Sequence, residues 1–505
     1  MSEKRPSKAR RWGLGLALVA AVALIGAFWW YSPTFKLPPP DGPHRVGVIA
    51  FELVDTNRRG LLGTSPDLPR QIPVRIWYPA ADDARGATRA YLESFEARSL
   101  GRNFGEGAHF FAYLSRIDTH SIVDAPVKQG GGWPVVLYNH GFWCYPEQNT
   151  ALMEQLASHG YIVVSIGHPG DAVEMRFADG TVVPPYSGDD EQLDTELFDG
   201  MAAFMGATSD DERIAGLRRF EAASVAHRIG QSALIWRDDN LFVYRALREG
   251  SVPEGALEVA ASIDYTNLAV VGMSFGGSTA PAVCEALEEC KASVNLDGES
   301  FDFSMYNHEV REPLLVLLTG QNFIEKQLDD PGVNPTDYAY ERWAHAGERA
   351  DIVRFRVASL RHAGLLDVLL SARRPWNAQM YGTIDGRRGI ALINAAVMGF
   401  LDQHVRGQAN ADFPRSFFAS FPEATPHDAF HVRQAWLKRN IERGCSEEGI
   451  RSLTQRNDFE RMRLGEWFTA FAETGAAGCG GDSQPAAGPH SDADASPLPI
   501  EAEGV

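Results

Sequence analysis

Several metal-binding signatures are missing from this 505-residue chain. It has no HExxH, no paired CxxC and no acidic calcium loop, so zinc and calcium sites of those designs are excluded. His140, His159 and His168 are close in sequence but are expected on a loop, a helix end and a strand end. Phosphate-cradling loops are also absent, since Gly130-Gly131-Gly132 reads only as a turn before a strand. No cofactor is expected. Positive charge is short: 47 Lys and Arg against 66 Asp and Glu give a net charge of −19. With no basic stripe to offset it, such a surface repels nucleic acid. Cysteine is scarce, with only Cys144, Cys284, Cys290, Cys445 and Cys479. Outside the cytoplasm an odd count leaves at least one thiol unpaired. Cys445 with Cys479, and Cys284 with Cys290, are candidate pairs; buried or free thiols are an equal alternative for each.

What is present begins with an apolar run. Lys4, Arg5, Lys8, Arg10 and Arg11 precede an uncharged stretch from Trp12 to Tyr31 that ends in Phe28-Trp29-Trp30-Tyr31. About 18 to 20 apolar residues can span a bilayer as a helix. Basic residues stay cytoplasmic and aromatics sit at the interface. Residues 1–31 are therefore expected to form a retained anchor, with the rest of the chain periplasmic or extracellular. The rival is a cleaved signal peptide, which has a shorter apolar core and a small-x-small cleavage site. Residues 32–44 hold five prolines and read as a stiff linker.

From residue 45 the pattern is of strands and helices in alternation. Strands are expected at 46–54, 72–78, 135–138, 161–166, 268–271, 292–296, 314–318 and 352–357, with helices at 147–159, 223–249, from 275, and 390–404. Alternation of this kind implies a mainly parallel sheet covered by helices on both faces. Residues 171–222 are polar and acidic and read as an excursion over the site. Their aromatics, Phe177, Tyr186, Phe198, Phe204 and Phe220, look scattered. Residues 45–407 make one domain, 408–475 a helical aromatic-rich extension, and 476–505 a disordered tail rich in Gly, Ala, Ser, Pro and Asp.

The chemistry centres on Gly272-Met273-Ser274-Phe275-Gly276, between a strand and a helix. That is the setting of a nucleophile elbow, whose tight turn needs small flanking residues and lifts the hydroxyl clear of the sheet. An α/β-hydrolase fold follows. A serine hydroxyl needs a base, and in this fold the acid and the histidine come later in the chain. Asp297 directly follows the strand 292–296, with Asp302 as its rival. His362 follows the strand 352–357, with His404 as its rival in a helix. Two backbone amides must receive the developing oxyanion. These are assigned to Phe275 and to Phe142, in the loop Asn139-His140-Gly141-Phe142; His140 is expected to support that loop.

These segments resemble the platelet-activating-factor acetylhydrolases, in the dienelactone-hydrolase-like branch of the α/β-hydrolase family. The resemblance rests on Val74–Pro79, Pro134–Gly141, Leu156–Val163, Val270–Gly277 with Met273 where His is more usual, Asn295–Asp297, and His362 with Asp367 five residues on. It implies a calcium-independent serine esterase acting on short or oxidised acyl esters of lipid type through Ser274, Asp297 and His362. Lactone or carbon–carbon hydrolysis on the same triad, and a non-catalytic membrane-tethered binding protein, are the alternatives. The sequence leaves oligomeric state open.

Overall fold

A computed structural model describes residues 19–24, 26, 35–60, 68–105, 107–186, 191–206, 210–320, 335–342, 348–372, 377–408 and 412–427. Its main sheet has eleven strands. In chain order these are β1 (Arg45–Arg59), β2 (Pro69–Ala80), β3 (Thr88–Ala90), β4 (Asp118–Val123), β5 (Trp133–Asn139) and β6 (Ile162–Ile166). A separate hairpin, β7 (Met175–Arg176) with β8 (Val182–Val183), comes next. Then follow β9 (Ile263–Met273), β10 (Cys290–Leu296), β11 (Leu314–Thr319), β12 (Ile352–Val357) and β13 (Ala424–Pro426). The spatial order is β13-β12-β11-β10-β9-β5-β6-β2-β1-β4-β3.

The centre of the sheet is parallel from β12 to β6. Its strands are near-continuous apolar runs because both faces are covered. Side chains alternate across the sheet, so neighbours in a run enter different cores. Val136 and Tyr138 join one cluster with Leu152, Leu156, Ile393 and Val397. Val135 and Leu137 join another with Val243, Leu247, Ala280 and Val283. The expected central strands match in position. The sheet departs from parallel at its margins: β1 and β2, β2 and β6, β3 and β4, and β12 and β13 pair antiparallel.

The helices that pack on this sheet include α1 (Ser94–Asn103), α2 (Thr150–Ser158), α3 (Glu191–Gly206), α4 (Asp210–Ala226), α5 (Arg228–Glu249), α6 (Phe275–Glu285), α7 (Gly386–His404) and α8 (Arg415–Ser420). The single helix expected over 223–249 is broken at His227. Its backbone is extended, and its ring accepts the Ile229 amide to cap α5. The excursion contains the β7–β8 hairpin and the α3 and α4 helices. Its aromatics are not scattered as expected. Phe204 and Phe220 join Leu197 and Met201 in a cluster with Phe275, Phe301 and Trp236. The helical period hid this, because the apolar positions of two helices meet one surface.

Two segments outside the expected domain pack onto it. Leu37, in the proline-rich stretch, is buried in the main core, and His44 donates its amide to the Ser158 carbonyl. Residues 35–44 are thus docked rather than free-standing. In the stretch expected to be a helical extension, α8 is followed by β13, which adds a strand to β12. Residues 428–475 and the tail lie outside the described residues, as do Cys445 and Cys479. Cys284 and Cys290 form a disulfide joining the end of α6 to the start of β10, and Cys144 is free and buried. Among the described residues no helix is long and apolar enough to cross a membrane. Of the run Trp12–Tyr31 only residues 19–24 and 26 are described.

Candidate active site

Strands β5 and β9 are neighbours, and the chain leaves β5 for β6 on one side but leaves β9 for β10 on the other. A crevice opens at the carboxyl ends of strands at such a point, and ligands bind there. The end of β5 carries Asn139-His140-Gly141-Phe142; the end of β9 carries Ser274.

Ser274 has φ 58° and ψ −129°, a left-handed backbone that costs a non-glycine residue about 1–3 kcal/mol. The turn closes only because its flanks lack side chains. A Cβ on Gly272 would stand 2.1 Å from the Gly276 carbonyl oxygen, and one on Gly276 2.3 Å from that of Asn139. The Ser274 amide donates to the Leu296 carbonyl at 2.8 Å, fastening the elbow to β10.

The next strand end supplies the acid. Asp297 is also left-handed, at φ 60°, and its carboxylate is buried. Asn295 holds this turn by accepting the Gly298 amide at 2.7 Å and donating to the Gly298 carbonyl at 2.8 Å. Thr319, at the end of β11, donates its amide to Asp297 Oδ1 at 2.7 Å and its hydroxyl to Oδ2 at 2.8 Å. His362 lies past β12. Its Nδ1 is 2.7 Å from Asp297 Oδ2 and its Nε2 is 2.8 Å from Ser274 Oγ. The structure therefore brings Ser274, Asp297 and His362 into one hydrogen-bonded line. The rivals lie elsewhere. Asp302 accepts the amide and hydroxyl of Ser304 and faces Arg237 at 3.3 Å. His404 packs its ring against Phe400 within α7.

The loop after β5 lies against the serine: a Cβ on Gly141 would stand 3.2 Å from Ser274 Cβ. The Gly141 amide donates to Gln148 Oε1 at 3.0 Å, and the Trp143 amide to the Asp171 carbonyl at 2.7 Å. Phe142 lies between these two bonded amides, and Phe275 is the first residue of α6, where helix N–H groups have no intrahelical acceptor. The two phenylalanine rings meet edge to face, with centroids 5.2 Å apart. Asn149 and Gln148 tie this loop to the histidine loop: Asn149 donates to the Leu365 carbonyl at 2.7 Å, and Gln148 accepts the Asp367 amide through its carbonyl at 3.0 Å.

Sequence reasoning missed Thr319, Asn295, Gln148, Asn149, His168 and Asp239. For most the signal was weak but present, as polar residues at or just past the ends of apolar strands or at the entry to α2; Asp239, in the middle of α5 beside Arg237 and Asp238, had none.

These features define an enzyme of the esterase class on an α/β-hydrolase fold. A ferulic acid esterase from Streptomyces cinnamoneus is similar over 78% of this chain and 99% of its own, with a TM-score of 0.57 and 20% identity. The chlorophyllase family model matches residues 115–167, which include the loop after β5. The chain is similar to the platelet-activating factor acetylhydrolase of Cavia porcellus, at 21% identity over 74% of this chain and 79% of that one. It is similar to that of Bos taurus at 22% identity over 53% and 56%. The resemblance read from the sequence is thus matched by relatives that carry that name.

One buried acid in the histidine loop gives a test of pH linkage. Asp367 accepts the Ala151 amide at 3.0 Å through Oδ2, while Oδ1 has no hydrogen-bond partner. Burial pushes its carboxyl well above the ordinary carboxylate range, opposed only in part by the Ala151 amide. The folded protein keeps the proton where the unfolded chain releases it, at about pH 4. Stability is therefore lost as pH rises from there. Asp367→Asn keeps the neutral shape and removes this loss. Its melting temperature relative to the parent should rise more at pH 8 than at pH 4; a gain that is equal at both, or greater at pH 4, would contradict the assignment.

Proposed function

We propose that the protein is a serine carboxylic-ester hydrolase that works through an acyl-enzyme. The observation that carries this reading is the line of hydrogen bonds in which His362 joins Ser274 to buried Asp297. His362 Nε2 takes the Ser274 proton as Oγ attacks the ester carbonyl. The Phe142 and Phe275 amides receive the negative charge on the carbonyl oxygen. Asp297 holds the imidazole with Nδ1–H toward itself and balances the imidazolium charge. His362 then gives the proton to the leaving alcohol, and water repeats the cycle on the acyl-serine.

The substrate proposed is a lipid-type ester with a short or oxidised acyl group. The rings beside the elbow support this by closing on one another. Phe275 lies 4.7 Å from Trp236 and 5.8 Å from Phe301 between centroids. Phe220 from α4 reaches Phe301 at 6.2 Å. A long chain gains about 0.8 kcal/mol for each buried CH₂ only where a groove receives it; here it would first displace ring contacts. An acetyl-sized group needs no groove.

We also propose that the run Trp12–Tyr31 tethers the enzyme outside the cytoplasm. The Cys284–Cys290 disulfide supports an oxidising compartment. The described residues Val19, Val22 and Leu24 expose their apolar side chains, as a lipid-facing helix does.

Three experiments test these readings. Ser274→Ala and His362→Ala should each lower turnover of p-nitrophenyl acetate by about four to six orders of magnitude with the fold intact. Asp297→Asn should cost about 10³ to 10⁴, and Asp302→Asn little; near-parental activity of the serine or histidine variant would defeat the mechanism. Across p-nitrophenyl acetate, butyrate, octanoate and palmitate below their micelle concentrations, kcat/KM should fall with length, and a steady rise would point to a lipase. Full-length protein should partition with membranes and a chain lacking residues 1–31 should not; equal solubility of the two would remove the tether.

A further inference from the structure

Two buried histidines beside the site take no part in the proton transfers above. His140 and His168 are both fully buried, and their ring centroids lie 5.3 Å apart. The backbone amide of His168 donates to His140 Nε2 at 3.2 Å. An amide can only donate, so Nε2 must be the unprotonated nitrogen. The proton of the neutral ring is then on Nδ1, which lies 2.7 Å from the Gly141 carbonyl oxygen and donates to it. Burial, and next the nearness of His168, push the His140 pKa well below its ordinary value, so the ring stays neutral.

The consequence follows from the peptide bond. The Gly141 carbonyl and the Phe142 N–H belong to one planar trans unit, so they point in opposite directions. Fixing the carbonyl fixes the direction of the amide. The same carbonyl also accepts the Cys144 amide at 3.1 Å, closing the turn. We infer that His140 is a positioning residue that aims the Phe142 amide at the oxyanion, through its Nδ1–H bond to the other end of that peptide.

A charged group anchors this arrangement from behind. His168 Nδ1 lies 2.9 Å from Asp239 Oδ2, and the His168 ring stacks on Trp236 with centroids 3.8 Å apart. Asp239 in α5 is held by Arg70 of β2, whose Nε donates at 2.6 Å and Nη2 at 2.5 Å, and by Arg58 of β1 at 2.9 Å. Burial acts to raise the Asp239 pKa, but Arg70 and His168 outweigh it and hold it below the usual range. The carboxylate therefore stays charged and keeps His168 in place. His168 in turn presents its backbone amide to His140.

The inference rests on the proposed roles of Ser274 and Phe142, and its test separates the two. A short-chain alkyl trifluoromethyl ketone accepts Ser274 Oγ at its carbonyl carbon. The C=O π pair moves to the oxygen as an oxyanion, and the serine proton goes to His362. Its inhibition constant reads the amide pair, whereas the Kd of p-nitrophenyl acetate, taken from saturation of the single-turnover acylation rate, reads ground-state binding. His140→Ala should weaken the ketone about 10²-fold or more, the loss seen when an oxyanion donor is removed, with that Kd within about threefold. His140→Asn places an amide N–H near the Nδ1 position and should recover at least tenfold. His140→Gln places its amide near the Nε2 position, toward His168, and should recover less. Thermal melts of all three accompany the assay, and the Asn-to-Gln comparison decides if the Ala variant fails to fold. A Gln variant as good as or better than Asn, or parallel losses in that Kd and in ketone affinity, would overturn the role of His140. A parent enzyme that ignores the ketone, or Ser274→Ala that still binds it, would instead overturn the reading of Ser274.

Discussion

The left-handed turn at Ser274 sets the terms for everything around it. Its strained backbone persists only because Gly272 and Gly276 let strand β9 and helix α6 pass within contact of each other and of the Asn139 carbonyl. That closeness draws the end of β5 to the serine. It also lets Leu296, the last residue of β10, accept the serine's amide. One tight approach therefore locates the hydroxyl, the amide-bearing loop and the strand end that carries the acid. A methyl group on either glycine would separate all three at once.

The acid end of the site obeys a different logic. Asp297 is itself left-handed, a backbone conformation strained for a residue with a Cβ. Thr319 donates to both of its oxygens, while Asn295 pins the turn that follows. The carboxylate is thus oriented by neighbours that arrive on β10 and β11, strands kept in register by parallel pairing. The histidine comes from a looser place, a loop after β12, and is steadied by bonds from the α2 entry to Leu365 and Asp367.

Much of this was legible in the sequence because it depends on order along the chain. The elbow motif between strand and helix, an aspartate right after an apolar run and a histidine after the last central strand are local patterns. They gave Ser274, Asp297 and His362, and they gave the central strands. What was not legible depends on tertiary meeting. Phe204 and Phe220 sit on separate helices, so their shared surface has no signature in either. Leu37 looks like one apolar residue among prolines until a core receives it. Thr319, His168 and Asp239 are single polar residues whose partners lie far along the chain. The break at His227 was hidden because a histidine fits a helical pattern as readily as it caps one.

Strand β13 has a consequence for where the chain can be cut. It lies antiparallel on β12 from Phe355 to Val357 and occupies that margin of the sheet. Without it, β12 would present a row of unpaired amides and carbonyls to solvent, and such a row recruits strands from other molecules. α7, whose last residue is His404, looks like the natural end of an α/β unit. A fragment stopped there would nevertheless carry an open strand edge and a propensity to self-associate. The smallest well-behaved fragment therefore runs at least through Pro426, twenty-two residues past the last large helix.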